Sequence, residues 1–117
     1  GLLSARDSVA DYLNKNNNSP YQVMADDIIL TNGCSLSIEI ASRALACFGD
    51  NILIPRPTWN YTTWLCGSGI EVQYYDLSPD RNFFIDLKHM ESLINSKTRA
   101  IIVNNVGNPC GKYDFLH

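Results

Sequence analysis

The run Ala100-Ile101-Ile102-Val103-Asn104-Asn105-Val106-Gly107-Asn108-Pro109-Cys110-Gly111 passes from unbroken apolar side chains into a cluster of Asn, Gly and Pro. Apolarity without alternation reads as a buried strand, Arg99 to Val103, and the cluster reads as the loop that stops it. Strands of this kind are the habit of parallel sheets, which are covered on both faces. Loops at the carboxyl ends of such strands are where open α/β sheets bind ligands.

The same pattern repeats upstream. Ile52-Leu53-Ile54 reads as a strand ending at Pro55-Arg56-Pro57, Glu71 to Tyr75 as another, and Ile28-Ile29-Leu30-Thr31 as a short buried strand broken by Asn32-Gly33. Between them lie helical patterns. Ser35 to Phe48 puts Ile38, Ile40, Ala41, Ala44, Leu45 and Phe48 on one apolar face, with Gly49 in the C-terminal position. Thr58 to about Cys66 reads as a helix capped by Thr58 and closed by Gly67 and Gly69. Asp86 caps a short helix through Leu93, with Leu87, Met90, Leu93 and Ile94 inward, and Ser78 to Asn82 is a turn. Ser4 to about Asn14 is an amphipathic helix with Ser4 as cap and Asp7 in its first turn. Strands alternating with helices indicate βαβ units. The fold class is therefore α/β, a mainly parallel sheet flanked by helices, forming a single partial domain over residues 1–117.

A length of 117 residues allows one domain or part of one. With 45% hydrophobic and 18% charged residues the chain suits a packed core and not a disordered segment. Net charge is -3 with signs mixed, so neither a nucleic-acid surface nor a charged tail is indicated. The apolar runs are too short to span a bilayer as a helix. Cys34, Cys47, Cys66 and Cys110 are scattered, and His89 and His117 lie apart, which speaks against zinc and for reduced thiols in a cytoplasmic compartment. Asn17-Asn18-Ser19 and Asn60-Tyr61-Thr62 match a glycosylation pattern that is common by chance. Gly1 enters a helical pattern almost at once and His117 directly follows a loop, which reads as a piece of a longer protein.

Three loops carry candidate chemistry. Thr31-Asn32-Gly33-Cys34-Ser35 is a strand-to-helix turn in which Gly33 admits a ligand close to the backbone. The free N–H groups of the first helical turn attract an anion such as phosphate. The same residues also read as an ordinary helix start with a turn glycine. Pro55-Arg56-Pro57-Thr58-Trp59 places a tryptophan at a strand end, where it either offers a flat face to a planar ring or packs in the core. Trp64 reads as packing. Asn108 has both a donor and an acceptor, suited to a phenolic oxygen and a carboxylate, or is a turn asparagine before proline. All three loops end strands of one polarity, so a parallel sheet would gather them at one edge. Cys110 has no base near it in sequence, His89 reads as a solvated surface residue, and Asp26-Asp27 as an exposed turn.

Taken in order, these segments resemble the tyrosine aminotransferase branch of the fold-type I, pyridoxal-phosphate-dependent aminotransferases. Ile28 through Ser35 resembles the phosphate-cradle segment, where Ser-Gly-Cys is usual. Asn51 through Pro57 resembles the next strand and loop, and Ile102 through Gly111 resembles Ile-Val-Asn-Asn-Pro-Ser-Asn-Pro-Cys-Gly. Ser4-Ala5-Arg6-Asp7-Ser8-Val9-Ala10 resembles an early Ser-x-Arg-Glu-x-Val-Ala helix. The resemblance covers almost the whole chain.

It implies part of the large domain of such an enzyme, with pyridoxal 5'-phosphate as cofactor. Gly33, Cys34 and Ser35 would hold its phosphate, Trp59 would stack on its ring, and Asn108 would bond its phenolic oxygen near the substrate carboxylate. It further implies cis prolines at Pro57 and Pro109, amino acid and 2-oxo acid substrates, and a homodimer whose partner subunit completes the phosphate site. Tyrosine and 2-oxoglutarate are the substrates it suggests, without nucleic acid or membrane. Val106-Gly107 departs from the usual Pro-Ser, and Thr62 stands where many relatives have tyrosine. The family's Schiff-base lysine, pyridinium-pairing aspartate and carboxylate-binding arginine match no position here, and Lys112 does not fit the lysine motif. No catalytic residue is therefore assigned, and the chain as given is expected to be inert alone. Another enzyme of the fold, such as a carbon–sulfur lyase or a synthase, or a non-catalytic interaction protein, remains as a rival reading.

Overall fold

In the computed structural model, which describes residues 1–16 and 19–113, a three-stranded parallel sheet forms the centre of the longer of two compact units. Strand β1 (Asn51–Arg56) lies between β2 (Glu71–Asp76) and β3 (Thr98–Ile101), in the order β2-β1-β3. The central place goes to the segment whose side chains tolerate burial on both faces: every residue of β1 but Arg56 is buried. Alternation then divides the core. Ile52 and Ile54 join Ala46, Tyr61, Leu65 and Ile70 on one face, while Leu53 joins Tyr75 and Leu77 on the other. Helix α3 (Thr62–Cys66) covers the first face through Leu65, and α4 (Leu87–Leu93) covers the second through Met90 and Leu93. Tyr74 and Tyr75 go to opposite faces, as their adjacency in a strand requires.

A proline inside the central strand needs an explanation, because proline has no N–H for the ladder. Leu53 pairs with Ile101 and its carbonyl accepts the Ile102 N–H at 2.8 Å, so odd-numbered residues of β1 face β3. An N–H at position 55 would therefore reach the Ile102 carbonyl. Pro55 cannot supply it, and the Tyr75 hydroxyl donates to that carbonyl instead, at 2.8 Å. Replacing Tyr75 with phenylalanine leaves the carbonyl without this donor at almost unchanged volume. We expect a loss of about 1–3 kcal/mol in denaturant unfolding. An unchanged midpoint would show that another donor takes over.

Asn51, buried at the start of β1, uses both ends of its amide. Its Nδ2 donates to Asn95 Oδ1 at 3.1 Å and its Oδ1 accepts from Thr98 Oγ1 at 2.9 Å, which ties β1 to the entry of β3. Asp50, one residue earlier, accepts the Cys47 N–H at 3.0 Å and pairs with Arg99 at 3.1 Å. The Cys47 bond foremost, then Arg99, holds its carboxyl below the usual value, against some burial. Asp86 caps α4 as expected, accepting from Lys88 N and His89 N at 3.1 and 3.2 Å. That His89 bond, aided by the Arg81 ion pair at 2.7 Å, lowers its pKa likewise.

The other unit, Gly1–Ser37, holds α1 (Leu3–Asn16), a short 3-10 turn at Ala25–Asp27, and the first turn of α2 (Cys34–Leu45). Arg6 Nη1 donates to the Ala25 carbonyl at 2.7 Å and pairs with Asp26 at 3.0 Å. The Asn14 amide brackets Val23 with two 2.8 Å bonds. These contacts fold the segment after α1 back along the helix.

Several expectations are corrected. Ile28 to Thr31 is extended but is not a strand, and Ile29 is 74% exposed. An extended segment becomes a strand only when a neighbour takes its backbone groups, and no described residue pairs with this one. Helix α2 stops at Leu45, so Phe48 lies beyond it and is 90% exposed; Ile40 and Leu45 are exposed too. Gly49 sits in the following turn at φ +82°. Helix α3 begins at Thr62 instead of Thr58. Helix α1 begins at Leu3, which puts Ser4 inside it and leaves no acidic residue in its first turn. Leu87 and Ile94 are exposed, leaving Met90 and Leu93 to pack. Strand β3 ends at Ile101, two residues early. The Asn17-Asn18 pattern and His117 lie outside the described residues.

Candidate functional site

Gly33 stands between the extended segment and α2, at φ +90°, where L side chains are strained. A Cβ built there meets nothing within 4 Å, so the backbone is open to a ligand. Cys34 and Ser35 form the first turn of α2; Cys34 is exposed and Ser35 half-buried. The Gly33 N–H is turned back to the Thr31 carbonyl at 2.9 Å, and the Gly33 carbonyl takes the Ser37 N–H at 3.4 Å. Thr31 Oγ1 shares a short hydrogen bond with Ser37 Oγ. The turn is thereby braced from within. By helix geometry the N–H groups of Cys34, Ser35 and Leu36 have no intrahelical acceptor, which is the arrangement an anion wants. All of this belongs to the Gly1–Ser37 unit.

Trp59 and Asn108 belong to the other unit. Both lie on loops that leave the carboxyl ends of adjacent parallel strands, β1 and β3, and so emerge on one edge of the sheet. Trp59 is 39% exposed and lines a shallow depression with Arg56, Pro57, Thr58, Asn60, Thr62 and Tyr74. Asn108 is exposed and lines a second depression with Pro55, Pro57, Tyr75 and Cys110 among others. Pro57 is common to both. The peptide bonds before Pro57 and Pro109 are cis, as the resemblance implies, and so is the bond between Asn105 and Val106, which no motif announces. The loop of Asn108 is closed by Gly107 N–H to the Lys112 carbonyl at 2.8 Å and Gly111 N–H to the Gly107 carbonyl at 2.7 Å.

The side chains at this edge suit a flat, partly polar molecule. A half-open indole offers a stacking surface, and an exposed amide offers a donor and an acceptor. Thr58 Oγ1 is buried without a hydrogen-bond partner. The sequence reading gave Thr58 to a helix cap; with α3 starting at Thr62 its hydroxyl is left unused beside Trp59, a feature no local pattern reveals. Thr62 Oγ1 donates to Asn60 Oδ1 at 3.0 Å on the same rim. Arg56 Nη2 pairs with Asp76 at 2.7 Å, and its guanidinium lies 5.3 Å from the Tyr74 ring centroid, so this cation is already engaged.

Other residues take structural places. His89, read as solvated, is half-buried, and its Nδ1 accepts the Asp76 N–H at 3.4 Å. The reason is that α4 turns its His89–Met90 side toward β2. Cys110 packs against the Leu53–Tyr75–Leu77 cluster, and all four cysteines are free thiols. Lys112 Nζ sits 3.4 Å over the Phe84 ring. Asp26 and Asp27 are exposed, as read. Among the described residues no group of three or more His, Cys, Asp or Glu converges, and no helix is long and apolar enough to cross a membrane.

Comparison with known proteins points the same way. The family model described as aminotransferase class I and II matches residues 1–113. Tyrosine aminotransferase of Bos taurus is 49% identical over 112 residues, covering 95% of this chain and 24% of that protein. The S-alkyl-thiohydroximate lyase of Arabidopsis thaliana is 42% identical over 112 residues, again 95% of this chain and 24% of the relative. The crystal structure of tyrosine aminotransferase from Leishmania infantum superposes with a TM-score of 0.90 at 31% identity, over 97% of this chain and 32% of that one. The chain thus spans about a quarter of the length of the curated relatives it matches.

Proposed function

The chain belongs to the aminotransferase class I and II family, and on that premise we propose that it is part of a pyridoxal-phosphate-dependent enzyme. That enzyme moves an amino group from an aromatic amino acid such as tyrosine to a 2-oxo acid such as 2-oxoglutarate. The observation that carries the reading is the 49% identity to a tyrosine aminotransferase, spread over 95% of the chain. The placement of Trp59 and Asn108 on loops from one sheet edge supports it.

Pyridoxal phosphate, when bound, supplies an electron sink that lets the α-proton of an amino acid leave. The residues of this chain hold and orient. The N–H groups of Cys34 and Ser35 would take the phosphate beside the open backbone of Gly33, and the start of α2 favours its charge. Trp59 would cover one side of the pyridine ring and keep water from it. Asn108 would donate through Nδ2 to the phenolic oxygen and face the substrate carboxylate. The free thiols suit a reducing compartment such as the cytosol. A homodimer would complete the phosphate site.

The test uses the product of the complete reading frame. With pyridoxal phosphate it is expected to develop the absorbance of bound coenzyme, and with tyrosine and 2-oxoglutarate to form glutamate. Failure to bind the coenzyme would overturn the reading. A second reading, carbon–sulfur lysis, is favoured by the 42% identity to the Arabidopsis lyase. Coenzyme binding with thiol release from an S-alkyl substrate, and no glutamate, would select it.

A further inference from the structure

Trp59 stands on a stretch that is neither helix nor strand, so no backbone element aims its ring. Its carbonyl accepts the Tyr61 N–H at 2.8 Å, which anchors the main chain but leaves the side chain to its neighbours. Two rings hold it. The Tyr61 ring meets it edge-on, 5.8 Å between centroids and 88° between planes. The Trp64 ring lies tilted against it at 4.8 Å and 36°. Tyr61 is buried and Trp64 is half-buried against the cluster of Ile54, Leu65 and Ile70, so both are fixed to the sheet. Trp64 rides on α3, whose position is set by the buried Leu65.

We infer that Trp64 is a positioning residue: it backs the Trp59 indole and holds it at the angle at which its free side meets the coenzyme ring. The inference rests on the proposed role of Trp59 and goes beyond it, since the sequence marks Trp64 only as packing. The physical reason is that a ring on an irregular loop loses rotamer freedom when it stacks. If a second ring has already removed that freedom, the coenzyme does not have to. Aromatic pairs contribute enough beyond area burial to change an affinity about two- to tenfold.

The test is made on the product of the complete reading frame, with pyridoxal phosphate itself as probe and two readouts. One is the dissociation constant, from quenching of tryptophan fluorescence. The other is the exciton couplet that two closely stacked indoles give in circular dichroism. Trp64→Leu keeps an apolar side chain but removes the ring; it is expected to abolish the couplet and weaken binding about two- to tenfold. Trp64→Phe keeps a ring without the indole; it is expected to lose the couplet yet restore binding to within about twofold. Trp59→Ala separates the two levels. If it leaves coenzyme affinity unchanged, the assignment of Trp59 falls, and this inference with it. If it weakens binding while Trp64→Leu binds like wild type, only the positioning role of Trp64 is overturned. Binding by Trp64→Phe as weak as by Trp64→Leu also overturns it, because a backing ring would then not be what matters.

Discussion

Asn108→Ala is expected to weaken pyridoxal phosphate binding about ten- to a hundredfold while leaving the fold intact. The magnitude follows from the partner: a hydrogen bond to an ionised oxygen contributes about 1.5–3 kcal/mol, and each 1.4 kcal/mol is tenfold. The fold should survive because Asn108 is exposed and its loop is closed by the backbone bonds of Gly107 and Gly111, which do not involve its side chain. Asn108→Asp sharpens the result. It keeps the shape and the acceptor but loses the Nδ2 donor, and it sets a carboxylate beside a phenolate. If donation is the role, the aspartate variant binds no better than the alanine variant. If Asn108 only shapes the turn, aspartate, also a good turn residue, restores binding, and the proposed assignment fails. Coenzyme titration followed by absorbance decides between them.

The α/β class was legible because it depends on short-range signals that tertiary context rarely reverses. Ile52-Leu53-Ile54 is apolar at successive positions, and only a central strand uses that; Asp86 had to cap a helix because two N–H groups follow it at the right spacing. What was lost depends on partners distant in sequence. Ile28 to Thr31 has strand composition, yet a strand exists only where another supplies the ladder, and the described residues hold none for it. Helix α2 shows the same limit. Its apolar periodicity is real, but Ile40, Leu45 and the nearby Phe48 are exposed, because periodicity announces a face and not what covers it. The candidate site follows this division. Gly33, Trp59 and Asn108 were found from turn chemistry and resemblance, whereas the idle hydroxyl of Thr58 and the ring of Trp64 behind Trp59 needed coordinates. Thr58 adjoins Trp59 in sequence, but nothing there says that its hydroxyl goes unbonded, and Trp64, five residues on, has no periodic relation that would mark it.

Ile54→Ala is expected to cost about 3–4 kcal/mol in urea unfolding, a large share of the roughly 5–15 kcal/mol that holds a typical domain. Ile54 is fully buried on the central strand, with Tyr61, Leu65 and Ile70 around it. Leu65 lies on α3, and Tyr61 and Ile70 directly precede α3 and β2, which are packed or paired against the sheet and so resist closing on the space left behind. A cavity that fails to collapse is what places a substitution high in the large-to-small range. Two companions calibrate the claim. Ile54→Val removes one methylene and should cost about 0.5–1.5 kcal/mol. Phe48→Ala removes a much larger side chain that is 90% exposed, and should stay within about 0.5 kcal/mol of wild type. Phe48→Ala comes last although it removes the most atoms, because burial and not size decides the cost. If Phe48→Ala proves the most destabilising of the three, its ring is covered in the folded protein. The surface around Phe48 would then be buried by chain beyond the described residues or by a second copy.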